Sequence, residues 1–443
     1  MVRIDGMADH IFRPDRRALL AGLGAAVLNP AAVAPARAQG RPAVMLQAKA
    51  DVLALRPGEP DTPIWSLAGS DLRFRRGASA EIAFGSDLPN PMVLNWRGID
   101  GASAAEPLLA RASPASGARD TFAVPLPHAG TFLCDLALLG DGAARPTRGL
   151  PLIVTESEAV AVDRDEVILI EDWRLRPDGT ALAPGLDPKG TTAVYTINGR
   201  LTQNFNMTPH ERLRFRFING LQRNVIAVKI EDINVKVMAL DGEPAEPFLA
   251  HDGVLILAPG TRLDAFIDAP ARAPGATSLV LLHDGKQARP IARLITSDAP
   301  PLRHAALPAA PPLPSNGLPG RLDLKNAVRF ELALGGGQPD WAVPANFTAT
   351  APPAFRVKVG RAVVLALTNR AETTAVFHLH GHHFRLLDRL DDGWKPFWLD
   401  TLAIEAGQTQ RIAFAAEHAG RWLIESVATD WAAPRLVRWY SVE

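Results

Sequence analysis

Short segments with apolar side chains at every second position recur along this chain. They include residues 79–84, 212–218 and 361–367, and turn-forming glycines and prolines separate them. Successive side chains of a β-strand point to opposite faces, so this period places the apolar residues on one face of a sheet. Long helical periodicities are missing. The pattern predicts an all-β protein whose antiparallel sheets stack into sandwiches or barrels.

Chain length sets the number of such units. The chain has 443 residues, too many for one compact core, because domains usually hold ~100–200 residues. An apparent closing strand at 152–154 and a Pro/Ala-rich stretch from Ala299 to Pro319 suggest two boundaries. We therefore predict domains over 39–155, 156–300 and 320–443, with an extended linker over 301–319.

Composition excludes some classes of partner. Lys+Arg and Asp+Glu number 47 each, so the formal net charge is +0. No strong attraction to nucleic acid or to an anionic membrane follows from that balance. We expect no nucleic-acid partner, and we expect a monomer.

The N-terminal 38 residues resemble an export signal. Arg16-Arg17 precede the apolar run 18–28, Pro30 follows that run, and Ala36-Arg37-Ala38 offers a cleavage site. The run is shorter than the ~20 residues that span a bilayer. Paired arginines before a weakly apolar run favour the twin-arginine route, with an ordinary secretory signal as the alternative. We expect a periplasmic protein without a transmembrane segment in its mature chain.

A single cysteine, Cys134, rules out an intramolecular disulfide. An exported protein without disulfides depends on its apolar cores, which a chain of this length can build.

Six ordered segments in the middle of the chain carry a family resemblance. They are Asp163-Arg164-Asp165, Glu171-Asp172-Trp173, Ile197-Asn198-Gly199-Arg200, 214–219, 240–244 and 258–264. The ordered set resembles the middle domain of the multicopper oxidases, and the similarity extends from about Pro63 to the C-terminus. The resemblance implies three cupredoxin-like Greek-key β-sandwich domains.

The resemblance also implies a chemistry. Family members oxidise substrates at a mononuclear copper and reduce dioxygen to water at a three-copper cluster between the first and third domains. Histidine nitrogen binds copper in both oxidation states, and a cysteine thiolate makes the electron-entry site. The family supplies these ligands as four His-x-His motifs, and strand alternation sends both histidines of a motif to one face.

In the first domain, neither motif keeps a histidine. The His-Trp-His-Gly motif corresponds to Asn95-Trp96-Arg97-Gly98, and the second motif corresponds to Asp135-Leu136-Ala137. Cys134 precedes the second motif, where an aromatic residue is usual, and it does not match the copper thiolate position.

In the third domain, one pair of histidines remains. His378 and His380 match the two cluster histidines, whereas Ala375 stands at the electron-entry histidine. The His-Cys-His motif falls on Glu425-Ser426-Val427, and a further histidine falls on Trp431. The resemblance therefore implies a chain without the usual blue-copper site and without the ligands to hold three coppers at native affinity.

The surviving histidines allow two interpretations. In the first, His378 and His380 hold one metal ion with a third donor, which could be His382, Asp135 or Glu425. In the second, the imidazoles are hydrogen-bonded in a filled cavity, and a buried Asp135 pairs with a buried Arg97. A permanent positive charge on Arg97 repels a cation, which favours the second interpretation. His128, His418 and Asp100 lie in apparent loops, where we expect exposed side chains.

Three functions follow from these observations. The first is a copper-free periplasmic binding or scaffold protein, similar in its lost ligands to a copper-less family member that supports bacterial cell division under stress. It requires no cofactor and predicts a cell-envelope partner. The second is a copper-binding oxidoreductase or copper-handling protein with a reduced site at His378 and His380. The third, a full laccase-type oxidase, conflicts with the missing ligands, since a fold alone does not carry function.

Overall fold

A computed structural model describes residues 43–69, 72–115, 117–136, 139, 141–335, 337, 340–388 and 393–443. The predicted signal segment, 1–38, and Ala137 lie outside these residues. Within them, three 3-10 helices occur at Ser103–Ala105, His251–Gly253 and Pro344–Asn346. No helix in the described part of the chain is both long enough and apolar enough to cross a membrane.

Thirty strands within the described residues fall into three consecutive groups. The first group comprises β1 (Val44–Leu53), β2 (Thr62–Ala68), β3 (Leu72–Arg75), β4 (Ala78–Ser86), β5 (Asn95–Arg97), β6 (Arg119–Leu126), β7 (Gly130–Asp135), β8 (Thr147–Arg148) and β9 (Leu150–Thr155). The second comprises β10 (Arg164–Leu175), β11 (Ala181–Leu182), β12 (Thr192–Ile197), β13 (Gln203–Met207), β14 (Arg212–Asn219), β15 (Ile226–Ile230), β16 (Lys236–Leu240), β17 (Glu243–Leu249), β18 (Val254–Leu257), β19 (Arg262–Asp268), β20 (Thr277–His283) and β21 (Ala288–Thr296). The third comprises β22 (Val328–Leu334), β23 (Arg356–Val357), β24 (Ala362–Asn369), β25 (Ala375–Leu379), β26 (Arg385–Leu386), β27 (Thr401–Ile404), β28 (Thr409–Ala415), β29 (Gly420–Ala428) and β30 (Arg435–Val442).

Each group forms two sheets, so the prediction of an all-β fold is confirmed. The first pair of sheets has the strand orders β6-β4-β1-β2-β8 and β3-β9-β7-β5. The second pair has β11-β10-β14-β19-β16-β17, with β12 also on β10, and β13-β21-β20-β15-β18. The third pair has β22-β24-β28-β26 and β23-β30-β29-β25-β27.

One topology is repeated in the three pairs. In each, the opening strand runs parallel to a later one: β1 to β4, β10 to β14 and β22 to β24. That later strand then pairs antiparallel with β6, β19 or β28 respectively. The facing sheets contain the parallel pairs β3–β9, β13–β21 and β23–β30. The sheets are therefore mixed, with parallel pairs in addition to the expected antiparallel ones, because period two fixes the faces of a strand but not the direction of its neighbour.

Each pair of sheets encloses a separate apolar core. Ile82 and Phe132 are buried in the first core, Phe215 in the second, and Phe377 and Trp422 in the third. Removal of such side chains from water is the main term that stabilises a β-sandwich. Three cores agree with the three-domain prediction, whose exact boundaries remain predictions.

The alternating segment 212–218 forms β14, and both faces of this strand are buried. Arg214 and Arg216 contact Asp264 at 2.5 and 3.1 Å. Arg216 also donates a hydrogen bond from Nη1 to Oγ1 of Thr131, which belongs to β7 of the first pair, at 2.9 Å. The charged face of β14 thus packs against the first pair of sheets, and ion pairs remove the cost of burying its guanidiniums.

Residues of the predicted linker 301–319 contain no strand but do make specific contacts. The Leu313 side chain is buried against Met238 and Phe266. The amide Nδ2 of Asn316 donates to the carbonyl of Ala129 at 2.8 Å, and its Oδ1 accepts from the Ala129 amide at 2.9 Å. The segment therefore lies along the first two pairs of sheets.

Gly98, directly after β5, has φ +84°. A Cβ added there would lie 2.1 Å from Nη2 of Arg262 and 2.8 Å from Oδ2 of Asp400, two residues that are themselves bonded to each other. Only glycine combines this backbone conformation with this close approach.

We predict that Gly98→Ala lowers the free energy of unfolding by at least about 2 kcal/mol more than Gly77→Ala. Gly77 has a similar φ of +78° but no atom within 4 Å of its added Cβ, so it isolates the cost of the backbone conformation. Urea unfolding midpoints measure the difference. Equal losses for the two variants would show that the Arg262–Asp400 contact does not depend on Gly98.

Candidate functional site

The first side of the site is built by β5 and β7. These strands pair antiparallel, with Asn95 opposite Asp135. Asn95 and Arg97 lie two residues apart and so point to the same face. Both are buried, and Nε of Arg97 donates to Oδ2 of Asp135 at 2.7 Å. The predicted buried pair of Arg97 and Asp135 is thus present.

The opposite side is built by β25 and β29, where His378 pairs with Glu425. His380 follows two residues later, and the His378 and His380 ring centroids are 4.9 Å apart. Nε2 of His380 lies 2.8 Å from Oε1 of Glu425. The ligand atoms of these three side chains all lie within 4.8 Å of one another.

Contacts of Glu425 join the two sides. Nδ2 of Asn95 donates to Oε1 of Glu425 at 2.8 Å, and Nη2 of Arg97 donates to Oε2 at 3.2 Å. Arg435, on β30, donates from Nη1 to the same Oε2 at 2.5 Å. The structure therefore brings together residues from all four motif positions that the resemblance implies: Asn95 and Arg97, Asp135, His378 and His380, and Glu425.

The ionisable side chains at this contact form what we call the central charge cluster: Arg97, Glu106, Asp135, His380, Glu425 and Arg435. Nδ1 of His380 lies 2.8 Å from Oε1 of Glu106. Two guanidiniums and one imidazolium face three carboxylates, so the formal charges balance without a metal ion. Every member is at most 6% exposed, where an unpaired charge would cost several kcal/mol.

Burial and ion pairing set the protonation of His380 and Glu425. Burial opposes a charge on His380, but Glu106 and Glu425 outweigh it and raise the pKa of His380 to about 9. Burial likewise opposes the charge on Glu425, yet Arg97 and Arg435 hold the pKa of that carboxyl well below its usual value. Both ring nitrogens of His380 are therefore engaged as donors near neutral pH.

His378 is in a different state. Burial lowers the pKa of His378 to about 4, against the attraction of Asp400. Its Nδ1 lies 2.9 Å from Oγ1 of Thr401 and 3.3 Å from Oδ1 of Asp400. His380 and His378 thus differ in charge, because His380 has two carboxylate partners close to its ring and His378 does not.

His382, predicted with His378 and His380, makes separate contacts. Tyr440 donates its hydroxyl proton to the His380 carbonyl at 2.7 Å, so Nδ1 of His382, 2.7 Å away, must donate to that hydroxyl oxygen. The His418 amide donates to Nε2 of His382 at 3.1 Å. Burial lowers the pKa of His382 to about 3. Of the three proposed third donors, Glu425 is the one within reach of both His378 and His380.

Ala375 and Trp431, at positions where the resemblance implies histidines, are buried, and so is Cys134, which does not match the thiolate position. Cys134 is fully buried in the first core, and burial raises the pKa of its thiol well above the usual value. Trp431, at the further histidine position, donates from Nε1 to the Ala183 carbonyl at 3.1 Å. Ala375 lies opposite Ala428 on β29.

A second cluster of buried ionisable groups contains residues expected to be exposed. Asp100 is 3% exposed and His128 is 9% exposed, so the expectation of solvated loops is wrong for both. Nδ1 of His383 lies 3.0 Å from both carboxylate oxygens of Asp100. His418, by contrast, is half-buried. The sequence does not predict this burial, because the residues that cover these loops lie hundreds of residues away in the chain.

A small cavity of about 40 Å³ adjoins the central charge cluster. Arg97, Asp135 and Glu425 line one part of it, and Glu171 and Asp172 of β10 line another. Such a volume holds only a few water molecules.

Comparisons with known proteins agree with this fold. A multicopper oxidase domain model matches residues 164–290, and a second matches residues 321–443. Solved structures also align over nearly the whole chain. A multicopper oxidase from Pseudomonas thermotolerans is 23% identical with a TM-score of 0.76, covering 90% of this chain and 98% of its own. Lac15 from a marine microbial metagenome is 26% identical with a TM-score of 0.75, covering 90% and 100%.

A more distant relative has the same architecture. The McoA multicopper oxidase of Aquifex aeolicus is 14% identical with a TM-score of 0.71, covering 91% of this chain and 96% of its own. No curated protein sequence matches the chain. The fold is that of a cupredoxin-like β-sandwich protein. With domain models that together cover more than half of its length, the chain belongs to the multicopper oxidase family.

Several side chains of the site are not predicted by the sequence. Glu106 and Arg435 complete the central charge cluster, although neither lies in a His-x-His position. Asp400 accepts from Arg262 and lies near His378. An isolated charged residue carries no local signal in the sequence. The charges of Arg97 and Glu425 at the implied ligand positions are the one indication that buried partners of opposite charge lie nearby.

We predict that Glu425→Gln lowers the free energy of unfolding by about 3–5 kcal/mol, because it leaves the buried Arg97, Arg435 and His380 with one carboxylate fewer. Glu443→Gln is the matched control, since Glu443 pairs with Arg356 at 2.8 Å on the exposed surface, where such pairs contribute at most about 1 kcal/mol. Urea unfolding of both variants gives the comparison. Similar losses would contradict a dominant role for Glu425.

A pH dependence follows from His380, whose ring faces Glu106, Glu425 and the His378 ring. Its folded pKa of about 9 exceeds the ordinary value of 6.5. The stability it contributes is therefore fully present below pH 6.5 and is lost as the pH rises towards 9.

We expect the Tm of chelator-treated protein to fall between pH 6.5 and 9, and to fall less in His380→Gln. His251→Gln serves as the control, because His251 is exposed and contacts only Asp252 among its ionisable neighbours. Thermal unfolding at both pH values measures the slopes. A slope unchanged by His380→Gln would mean that another group titrates.

Proposed function

We propose that this chain is an exported, periplasmic protein of the multicopper oxidase family that holds neither the type 1 copper nor the three-copper cluster. In this proposal it binds a cell-envelope partner instead of oxidising a substrate. The central charge cluster carries the proposal, since paired charges occupy the positions where the family resemblance expects copper ligands.

The donor set does not fit copper. A guanidinium has no lone pair to offer and stays protonated, so Arg97 cannot act as a ligand. His380 would have to give up a proton from a nitrogen that is engaged with Glu106 or Glu425. A copper ion placed among balanced charges would also add two uncompensated positive charges in a buried site. Each of these effects opposes copper binding.

Electron transfer lacks its usual entry. The family chemistry needs a thiolate at the mononuclear copper, and the position of that cysteine is Ser426. The thiol of Cys134 stays protonated in the first core. The cavity beside the central charge cluster is too small for more than a few waters. These observations support a role without redox chemistry, for which no cofactor is needed.

The location and partner rest on the sequence. The Arg16-Arg17 pair, the short apolar run and the Ala36-Arg37-Ala38 motif support export to the periplasm. The balanced net charge argues against nucleic acid as the partner. A monomer that presents its sandwich surfaces to a cell-envelope protein is the state we propose.

One observation favours a second candidate. The ligand atoms of His378, His380 and Glu425 approach within 4.8 Å of one another, and two imidazoles with a carboxylate suit Cu(II). In this alternative, the chain is a copper-handling protein or copper-dependent oxidoreductase with a reduced site. Copper would then displace the contacts of Glu425 with Arg97 and His380, which makes this candidate the weaker one.

Copper content of the folded protein tests both candidates. After incubation with Cu(II) and removal of the excess, we expect no blue absorption band and no bound copper that depends on His378 and His380. Metal analysis and the visible spectrum give the answer. The double variant His378→Ala, His380→Ala and the exposed-site control His251→Ala are treated in parallel.

Each outcome decides between the candidates. About one copper per chain that is lost in the double variant but kept in the control would establish the reduced site. Three or four coppers with oxidase activity would overturn the proposal. The same copper content in all three proteins, without a blue band, supports a copper-free candidate site and directs the search to partners.

A further inference from the structure

Four buried side chains meet where the three pairs of sheets adjoin. Asp100 follows β5 and His128 precedes β7, both in the first pair. Glu243 begins β17 of the second pair, and His383 lies between β25 and β26 of the third. We call these residues the three-way cluster. None of them stands at a histidine position of the family motifs, so the cluster is separate from the site described above.

The distances among three members of the three-way cluster suit a small metal ion. The ligand atoms of Asp100, His128 and His383 all lie within 4.8 Å of one another. Oδ2 of Asp100 lies 3.0 Å from Nδ1 of His383 and 3.5 Å from Nδ1 of His128, and zinc bonds imply about 3.3 Å between neighbouring ligand atoms. Two imidazoles and one carboxylate are a donor set that zinc accepts, with water as the fourth ligand. Oε1 of Glu243 lies 2.8 Å from Nδ1 of His128, beside this set.

The contact between His128 and Glu243 lacks a hydrogen bond. Nδ1 of His128 and Oε1 of Glu243 approach each other without hydrogen-bond geometry, and neither atom has another hydrogen-bond partner among the described residues. Glu243 is 2% exposed and His128 is 9% exposed. Buried polar atoms without hydrogen bonds are rare in folded proteins, and a cation bound at Nδ1 of His128 is one way to satisfy that atom beside the carboxylate of Glu243.

A backbone contact orients His383. Its Nε2 lies 2.9 Å from the Asp241 carbonyl oxygen, which can only accept, so Nε2 carries a proton and donates. Nδ1 is thereby directed at Asp100. Metal-binding histidines commonly donate their second ring N–H to a carbonyl or carboxylate in this way, which fixes the ring and the tautomer.

We propose that the three-way cluster binds one zinc ion per chain through Asp100, His128 and His383, with the carboxylate of Glu243 beside His128 as a further negative charge. Bound there, zinc joins the first and third pairs of sheets and stabilises their arrangement by mass action. The imidazole of His128, at the edge of the cluster, provides the route of entry, because the other three side chains are at most 3% exposed.

Zinc titration of the chelator-stripped full-length protein tests this proposal. By calorimetry and metal analysis we expect one tightly bound Zn²⁺ per chain and a Tm that rises with free zinc. His128→Gln removes one ligand and Glu243→Gln removes the negative charge beside it, so each should weaken binding at least about tenfold. Co²⁺ in place of zinc should give the visible absorption of a tetrahedral site, and His128→Gln should abolish it.

Two control proteins locate the ion. His251→Gln removes an exposed histidine beside Asp252 and should bind zinc as the parent does. The double variant His378→Ala, His380→Ala should also retain zinc, and this separates the three-way cluster from the candidate copper site. Absence of zinc binding in the parent, affinity unchanged by His128→Gln and Glu243→Gln, or zinc lost only in the double variant would each overturn the proposal. None of these results depends on whether the chain binds copper.

Discussion

The carboxylate of Glu425 is the interaction on which the contact between the first and third pairs of sheets depends. Four donors converge on its two oxygens: Asn95 and Arg97 from the first pair of sheets, and His380 and Arg435 from the third. Because Glu425 is 1% exposed, water cannot replace any of these partners. Each charge is therefore tolerated only because the others are present, and such a network holds its members in one geometry.

Similar pairs hold the second pair of sheets in place. Arg262 is fully buried and donates to Asp400 of the third pair, while its Nε donates to the Thr131 carbonyl of the first at 3.3 Å. Asp264 accepts from Arg214 and Arg216 on the neighbouring strand. Buried arginines thus occur repeatedly where pairs of sheets meet. Their planar guanidiniums make several directed hydrogen bonds at once, which suits a contact between separate cores.

Membership of the multicopper oxidase family fixes the scaffold and leaves the chemistry to particular side chains. At the strand positions where the family resemblance implies imidazoles, this chain presents Asn95, Arg97 and Glu425. If these residues replace a metal-centred contact by a charge-centred one, the sandwich arrangement survives the loss of copper. The three-way cluster would then be the place where a metal ion still contributes to the assembly.

Local sequence determined the strands, the three-unit organisation and the family, and it offered the pairing of Arg97 with Asp135 as part of one of two interpretations. Period two and motif order are properties of neighbouring residues, so they can be seen in the chain itself. Tertiary structure alone decided that Glu425 accompanies His378 and His380, that His382 bonds to Tyr440 instead, and that Asp100 and His128 are buried. Those outcomes rest on contacts such as Arg97 to Glu425, which are 328 residues apart in the chain. Burial and charge pairing over such separations arise only when the sheets pack, because no periodicity within a strand specifies which distant side chain will face it.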